Sequence, residues 1–419
     1  MSEKNNKYTP NLRFPEFTGE WEEKTLGEFF HLQNGYAFRS DAYIADGKYK
    51  IVTIANVQSG KLDLIKTNSL NQLPSNIANH QKLNIGDIIL SMTGNVGRVC
   101  MVDQDNCLLN QRVGLLKQTN ENIDRKYVYS LINSKQFETA MVKSGQGAAQ
   151  ANISKEDVES YSFGVPPTPA EQQKIASCLS AMDDLIAAQA EKVEVLKEKK
   201  TGLMQQLFPQ PGETTPRLRF PEFTGEWEVK KLGEVFTRLT EKNTEDNKNV
   251  LTISAQYGLI SQLDFFKKSV AASDVTGYYL LHEGDFAYNK SSSQGKPVGA
   301  IKPLKLYDKG VVSTLYICFR CNNPREIGFW EQYFDAGILD KEIMSIAQEG
   351  ARNHGLLNVP TTGFFELNII TPPSPAEQEK IASCLSALDD QIAAETEKLT
   401  ALKDYKKGLM QQLFPQPAK

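Results

Sequence analysis

The chain has 419 residues and a mass of 46.8 kDa, with 40% apolar and 23% charged residues. At roughly 100–200 residues per domain this predicts two to four domains, and the composition carries a packed core and excludes wholesale disorder. A formal net charge of −4 and a pI near 5.8 argue against a nucleic-acid binder that works by overall charge, because phosphate neutralisation needs clustered Lys and Arg.

The N-terminal stretch Met1–Pro10 is polar and reads as no signal peptide, and no run of eighteen apolar residues predicts a membrane span. The first organised segment, Leu12–Gly27 (LRFPEFTGEWEEKTLG), returns as Leu218–Gly233 (LRFPEFTGEWEVKKLG), identical at 14 of 16 positions and offset by 206. Pro166–Pro211 matches Pro372–Pro417 at the same offset, with 34 of 46 positions identical. The stretches between, 28–165 and 234–371, resemble each other poorly. The order is therefore frame, insert, frame, insert, frame. Two near-identical frames in one chain can pack about a pseudo-twofold axis as an isologous dimer does, while the inserts present different surfaces.

Both inserts read as mixed α/β. In the first, Tyr49–Ala55 and Asp87–Met92 are predicted strands and Arg125–Val142 a helical stretch; in the second, Val250–Ser254, Asp285–Tyr288 and Thr314–Arg320 are predicted strands. Asn84-Ile85-Gly86-Asp87 and His282-Glu283-Gly284-Asp285 are equivalent turns. The loops that follow are polar and glycine-rich, which suits hydrogen bonding to base edges and phosphates as well as plain solvation. They supply candidate DNA-contact residues: Ser91, Thr93, Asn95 and Arg98, then Gln146, Gln150 and Asn152, in the first insert. In the second they are Asn289, Lys290, Ser292, Gln294 and Lys296, then Arg352, Asn353 and His354. Tyr36, Arg39, Gln111 and Arg112 complete the set. Residues 28–165 hold 14 Lys and Arg against 13 Asp and Glu, and residues 234–371 hold 14 against 16. DNA binding by either insert therefore requires charges segregated onto one face, or DNA shared with basic partners.

After each insert comes a long helix. Thr168-Pro169-Ala170-Glu171 and Ser374-Pro375-Ala376-Glu377 read as helix starts, with a cap, proline at the first position and a glutamate that completes a capping box. Ile175, Leu179, Met182, Ile186, Val193 and Leu196, continuing to Leu203 and Leu207, recur at spacings of four and three. So do Ile381, Leu385, Leu388, Ile392, Leu399 and Leu402, continuing to Leu409 and Leu413. Sustained spacing of this kind predicts a coiled coil. Gln189 and Lys200 interrupt the first seam, Glu395 and Lys406 the second. A parallel pair would set Lys200 against Lys406; an antiparallel pair brings each lysine nearer the other helix's Gln189 or Glu395 end and is favoured. Each helix is about 60 Å long at 1.5 Å per residue.

No Walker A motif is present, no glycine-rich nucleotide or S-adenosylmethionine fingerprint, and no amino-methyltransferase motif. The histidines His31, His80, His282 and His354 are scattered. Of six cysteines, Cys318 and Cys321 form a lone C-x2-C whose alternation fits a strand better than a zinc site, and the chain reads as cytosolic and reduced. No catalytic residue or metal ligand is assigned.

The chain resembles the specificity subunit of Type I restriction-modification enzymes over nearly its whole length. The resemblance is carried by P-P-x-P-A-E-Q-x-K-I-A at Pro166 and Pro372, Met182-Asp183-Asp184 and Leu388-Asp389-Asp390, and G-L-M-Q-Q-L-F at Gly202 and Gly408. It is carried also by R-F-P-E-F at Arg13 and Arg219, and by Gly86-Asp87-Ile88 and Gly284-Asp285-Phe286. It implies an α+β fold with an internal pseudo-twofold: two α/β-mixed target recognition domains (1–165 and 212–371) separated by two long antiparallel coiled-coil helices (166–211 and 372–419). It further implies that each domain reads one half of a split double-stranded DNA target and that the helices fix the gap and dock two methyltransferase subunits. Translocase-nuclease subunits join the assembly, and S-adenosylmethionine, ATP and Mg2+ belong to those partners, with no cofactor in this chain. The competing readings are a self-sufficient nuclease or methyltransferase with an unrecognised site, and a scaffold that clamps partners without reading bases.

Overall fold

A computed structural model describes residues 8, 10–145, 151–254, 258–266, 274–291, 297–347 and 357–414. The chain divides into two compact units, the first made of residues 1–189 and 398–419, the second of residues 190–397. The division runs through the two long helices, Pro169–Leu207 and Pro375–Leu413. Each unit therefore holds one insert, the first part of its own helix and the last part of the other.

The duplicated frame folds the same way twice. In the first unit strand Glu22–Thr25 pairs antiparallel with Ser162–Val165, Glu22 opposite Val165. In the second, Glu228–Lys231 pairs with Asn368–Thr371, Glu228 opposite Thr371, the same register 206 residues on. The R-F-P-E-F and P-A-E-Q motifs meet in a buried clip. The guanidinium of Arg13 donates to both carboxylate oxygens of Glu171 at 2.7 and 2.8 Å, and Trp21 Nε1 donates to the same carboxylate at 3.2 Å. Arg219 grips Glu377 twice at 2.8 Å and Trp227 Nε1 adds a third bond at 3.3 Å. Both carboxylates are buried, where a carboxylate is tolerated when it is paired and hydrogen-bonded as these are. This corrects part of the helix-start reading. Thr168 does cap, accepting from the Glu171 N–H at 3.3 Å, but the glutamate carboxylates are committed to arginine and tryptophan.

Each insert supplies a four-stranded antiparallel sheet in the same spatial order. In the first unit it runs Phe30–Asn34, Val113–Gln118, Ile88–Ser91, Val99–Met101; in the second, Phe236–Leu239, Ile317–Cys321, Phe286–Asn289, Ala300–Pro303. The predicted strands are present with ends displaced by no more than three residues, and two of them, Tyr49–Val52 and Leu251–Ser254, lie in separate pairings outside these sheets. The Gly-Asp turns now have a cause. Gly86 and Gly284 take φ of 88° and 84°, where glycine alone is unstrained. The next side chain, Asp87 or Asp285, accepts from the backbone N–H of Asn84 at 2.9 Å or His282 at 2.8 Å. A beginning strand is held in register by its own carboxylate. Arg320 adds a two-pronged pair to Asp285 at 2.6 and 2.8 Å.

The single helical stretch expected over Arg125–Val142 is two helices, Arg125–Ile132 and Lys135–Ser144. Asn133 and Ser134 break it, because Ser134 caps the second helix by accepting from Phe137 N–H at 3.2 Å, a bond a helix interior does not offer. In the second unit Ile327–Asp335 occupies the same layer and buries Phe329, Trp330, Tyr333 and Phe334. Phe208, from the end of the first long helix, lies among them, with ring centroids 5.7 Å from Phe329 and 5.8 Å from Tyr333. Leu413 and Phe414, from the end of the second long helix, enter the core of the first unit, where Phe414 lies 5.7 Å from Tyr127.

Within the second unit the long helices are antiparallel. Lys200 binds Asp389 at 2.6 and 2.7 Å, and Lys192 binds Glu395, so rising numbers on one helix meet falling numbers on the other. In the first unit Lys406 binds Asp183. The seam lysines therefore find the aspartates of Met182-Asp183-Asp184 and Leu388-Asp389-Asp390, rather than Glu395 or Gln189. Ile175, Leu179, Val193, Leu196, Ile381, Leu385 and Leu388 are buried, and Met182, Ile186, Ile392, Leu399 and Leu402 half-buried. Among the described residues no helix is long and apolar enough to cross a membrane.

Cys318 and Cys321 lie buried on strand Ile317–Cys321 as free thiols. Burial pushes Cys100, Cys318 and Cys321 up to about 12 and Cys107 up to about 11. The thiolate is the nucleophile, so alkylation of the native protein at pH 8 should modify only the part-exposed Cys178 and Cys384. Peptide mass mapping reads this out, and early modification of Cys318 would contradict its place in the sheet.

Candidate nucleic-acid interface

In each unit one end of the four-stranded sheet collects the loops. Register places Asn34 opposite Gly114, Val113 opposite Ser91, and Leu90 opposite Val99. The chain leaving Asn34, the turn entering Val113 and the hairpin joining Ser91 to Val99 therefore share one edge. Tyr36 begins it: its N–H donates to Leu109 O at 2.8 Å, its hydroxyl to Asn76 Oδ1 at 2.7 Å, and its ring lies 4.9 Å from Phe38. Gln111 is exposed, its N–H bound to Tyr36 O at 2.9 Å. Arg112 is exposed beside it, and its carbonyl accepts from Met92 N–H at 3.0 Å. Arg112 has no carboxylate partner among the described residues.

The two glycine-rich loops of the first insert meet here. Thr93 donates to Asn152 Oδ1 at 2.9 Å, Gly94 N–H to Ala151 O at 2.9 Å, and Ile153 N–H to Met92 O at 2.9 Å. Asn95 and Asn152 are exposed. Arg98 is half-buried and donates to Gln58 Oε1 at 2.8 Å. Arg39 is exposed and paired with Asp41 at 2.9 Å. Ser91, expected from sequence among the contact residues, is instead fully buried: its hydroxyl donates to Asn95 O and accepts from Arg98 N–H at 3.1 Å. It closes the hairpin and offers nothing outward. Gln146 and Gln150 lie outside the described residues.

The second unit repeats the edge. Leu239 stands opposite Cys318, Ile317 opposite Tyr288, and Asn289 opposite Ala300. Asn289 and Lys290 lie on it, both half-buried. Asn289 Oδ1 accepts from Ser291 N–H at 3.1 Å, and burial lowers the Lys290 ammonium pKa below the usual lysine range. Lys290 O accepts from Leu357 N–H at 3.0 Å, as Met92 O does from Ile153 in the first unit. Ser292, Gln294, Lys296, Arg352, Asn353 and His354 lie outside the described residues. Sequence reasoning did not single out Gln58 and Asn76, which hold Arg98 and Tyr36 from 40 residues away. Neither carries a local signal, because only sheet closure brings them in.

The edge is suited to hydrogen bonding and weak cation contact. His31 faces Glu159 at 3.3 Å and His282 faces Glu241 at 3.5 Å, but among the described residues no group of three His, Cys, Asp or Glu could hold a metal ion.

The family model for the Type I restriction modification DNA specificity domain matches the chain twice, over residues 18–198 and 224–404. The chain belongs to that family. It is 27% identical over 251 residues to the type I restriction enzyme MjaVIII specificity subunit of Methanocaldococcus jannaschii, covering 56% of this chain and 52% of that one. The chain spans about half the length of the curated relatives it matches. Its fold is similar to the crystal structure of a Type-I restriction-modification system S subunit from M. genitalium (TM-score 0.59, 15% identity, 98% of this chain and 100% of that one). It is also similar to a chain from a structural study of complex assembly and conformational transition of the type I R-M system. There the TM-score is 0.52 and the identity 16%, over 94% of this chain and 97% of that one.

Proposed function

We propose that this chain is the DNA-reading subunit of a Type I restriction-modification complex. Each unit contacts one half of a bipartite double-stranded target through the loop-bearing edge of its sheet. The two long helices set the gap between half-sites and, with the frames, dock two methyltransferase subunits; translocase-nuclease subunits join the assembly. Adenine methylation and ATP-dependent restriction belong to those partners, which carry S-adenosylmethionine, ATP and Mg2+, while this chain is non-catalytic and works in the cytoplasm. The observation that carries the reading is the repetition of one edge on two nearly unrelated inserts held by a duplicated frame. A frame kept nearly constant against inserts free to differ is what two separate readings in one geometry require. Near-neutral inserts fit a subunit that shares its DNA with basic partners.

The test is exchange of residues 28–165 for the insert of another family member, followed by mapping adenine methylation in the host. One half of the methylated sequence should change and the other stay. Change in both halves, or in neither, would overturn the modular reading. A chain that only clamps partners would leave the methylated sequence untouched.

A further inference from the structure

We propose that Leu315 contacts the 5-methyl group of a thymine in the half-site read by the second unit. The inference rests on the DNA-reading function above and assigns it a specific base chemistry. Arg112 and Leu315 hold equivalent places, each just before the residue whose N–H closes the turn, Val113 to Asn110 O at 2.9 Å and Tyr316 to Ser313 O at 3.0 Å, on strands in which Leu116 faces Ile88 as Phe319 faces Phe286. At that place the first unit exposes an arginine. The second exposes a leucine, 59% accessible.

The leucine is held out by its turn. Its N–H donates to Ser313 Oγ at 3.4 Å, and the next residue, Tyr316, donates its N–H to Ser313 O at 3.0 Å. Tyr316 packs against the core formed by Leu251, Leu281 and Val312, which anchors the turn from behind. An isolated exposed leucine is unremarkable on a protein surface. This one stands on the edge that carries Asn289 and Lys290, in the position that Arg112 takes in the other unit. In the major groove each base pair shows a distinct pattern, and its one apolar feature is the thymine methyl. An aliphatic side chain offers no hydrogen bond there, so the methyl is the group it distinguishes.

The experiment uses the full chain assembled with its methyltransferase subunits. Host methylation mapping gives the two half-sites, and exchange of residues 234–371 identifies the half read by the second unit. Deoxyuridine then replaces each thymine of that half in turn, which removes only the methyl. At one position binding of the wild-type complex should weaken roughly fourfold, the worth of one buried methyl. Leu315→Ala should bind thymine and uracil duplexes equally there, and Leu315→Met, which keeps an apolar side chain, should retain the preference. A half-site without thymine, no position sensitive to uracil, or discrimination that survives Leu315→Ala overturns this proposal alone. An exchange of residues 234–371 that leaves both half-sites unchanged overturns the DNA-reading function with it.

Discussion

Replacing Arg219 by alanine should destabilise the second unit by about 3–5 kcal/mol, the cost of stranding one member of a buried ion pair. Glu377 is 1% exposed in its side chain and accepts three bonds, two from Arg219 and one from Trp227. Without the guanidinium, the carboxylate keeps one indole N–H and no counter-charge. Arg219 also ties the loop ahead of Trp227 through Gly225 O and Thr224 O, so its loss frees the frame segment from the helix start. Arg219→Lys should recover part of the loss, because an ammonium restores charge but not the two-pronged geometry. Arg219→Met combined with Glu377→Gln should recover more, since no unpaired charge then remains buried. A lowering of the thermal midpoint on the order of 10 °C is expected for the single alanine variant. A melt unchanged within a degree would show that the clip carries no net stability. Arg13 and Glu171 predict the same in the first unit.

Phe414→Ala should cost about 3–5 kcal/mol, and the loss should fall on the first unit although Phe414 lies at the far end of the chain. Phe414 is 2% exposed and belongs to the core formed by Trp21, Tyr127, Ile175 and Leu179. The surrounding helices come from the insert and from the start of the first long helix, so the cavity has little freedom to collapse. Amide exchange should accelerate across Arg125–Ile132 and Ser162–Val165, while Ile327–Asp335 and Asn368–Thr371 keep their protection. Loss of protection confined to the last turn of Pro375–Leu413, with the first unit unchanged, would refute the assignment of that phenylalanine to the distant core. Phe208→Ala is the mirror variant for the second unit.

These two variants separate what was legible in the chain from what was not. The clip could be half read: R-F-P-E-F and P-A-E-Q recur at one offset, so some shared constraint was visible. Its nature was not, because Arg13 and Glu171 are 158 residues apart and Glu171 reads locally as a capping residue. The strands of the inserts were legible to within a few residues because alternation and the Gly-Asp turns are local signals. The helical break at Asn133-Ser134 was missed because apolar periodicity continues across it, and only the caps mark the interruption. Among the candidate contacts, Thr93 and Asn152 come from two loops that polarity and glycine content single out, and the structure joins them by a hydrogen bond at 2.9 Å. Ser91 looked like its neighbours in sequence, yet its hydroxyl is spent closing the hairpin, a fact of backbone geometry.

The amino-acid sequence by itself determined the duplication, the long helices, the strand-rich inserts and the family to which the chain belongs. Each rests on residue identity or on periods of two, three and four, which survive without coordinates. Tertiary structure alone decided that one sheet edge gathers Tyr36, Thr93, Gln111, Arg112 and Asn152, that Lys200 and Lys406 meet aspartates, and that each unit completes its core with the end of the other copy's helix. Contacts of this kind join residues tens to hundreds of positions apart, and no local pattern encodes a partner at that distance. They are set when hydrophobic burial closes the sheets and seats the helix ends.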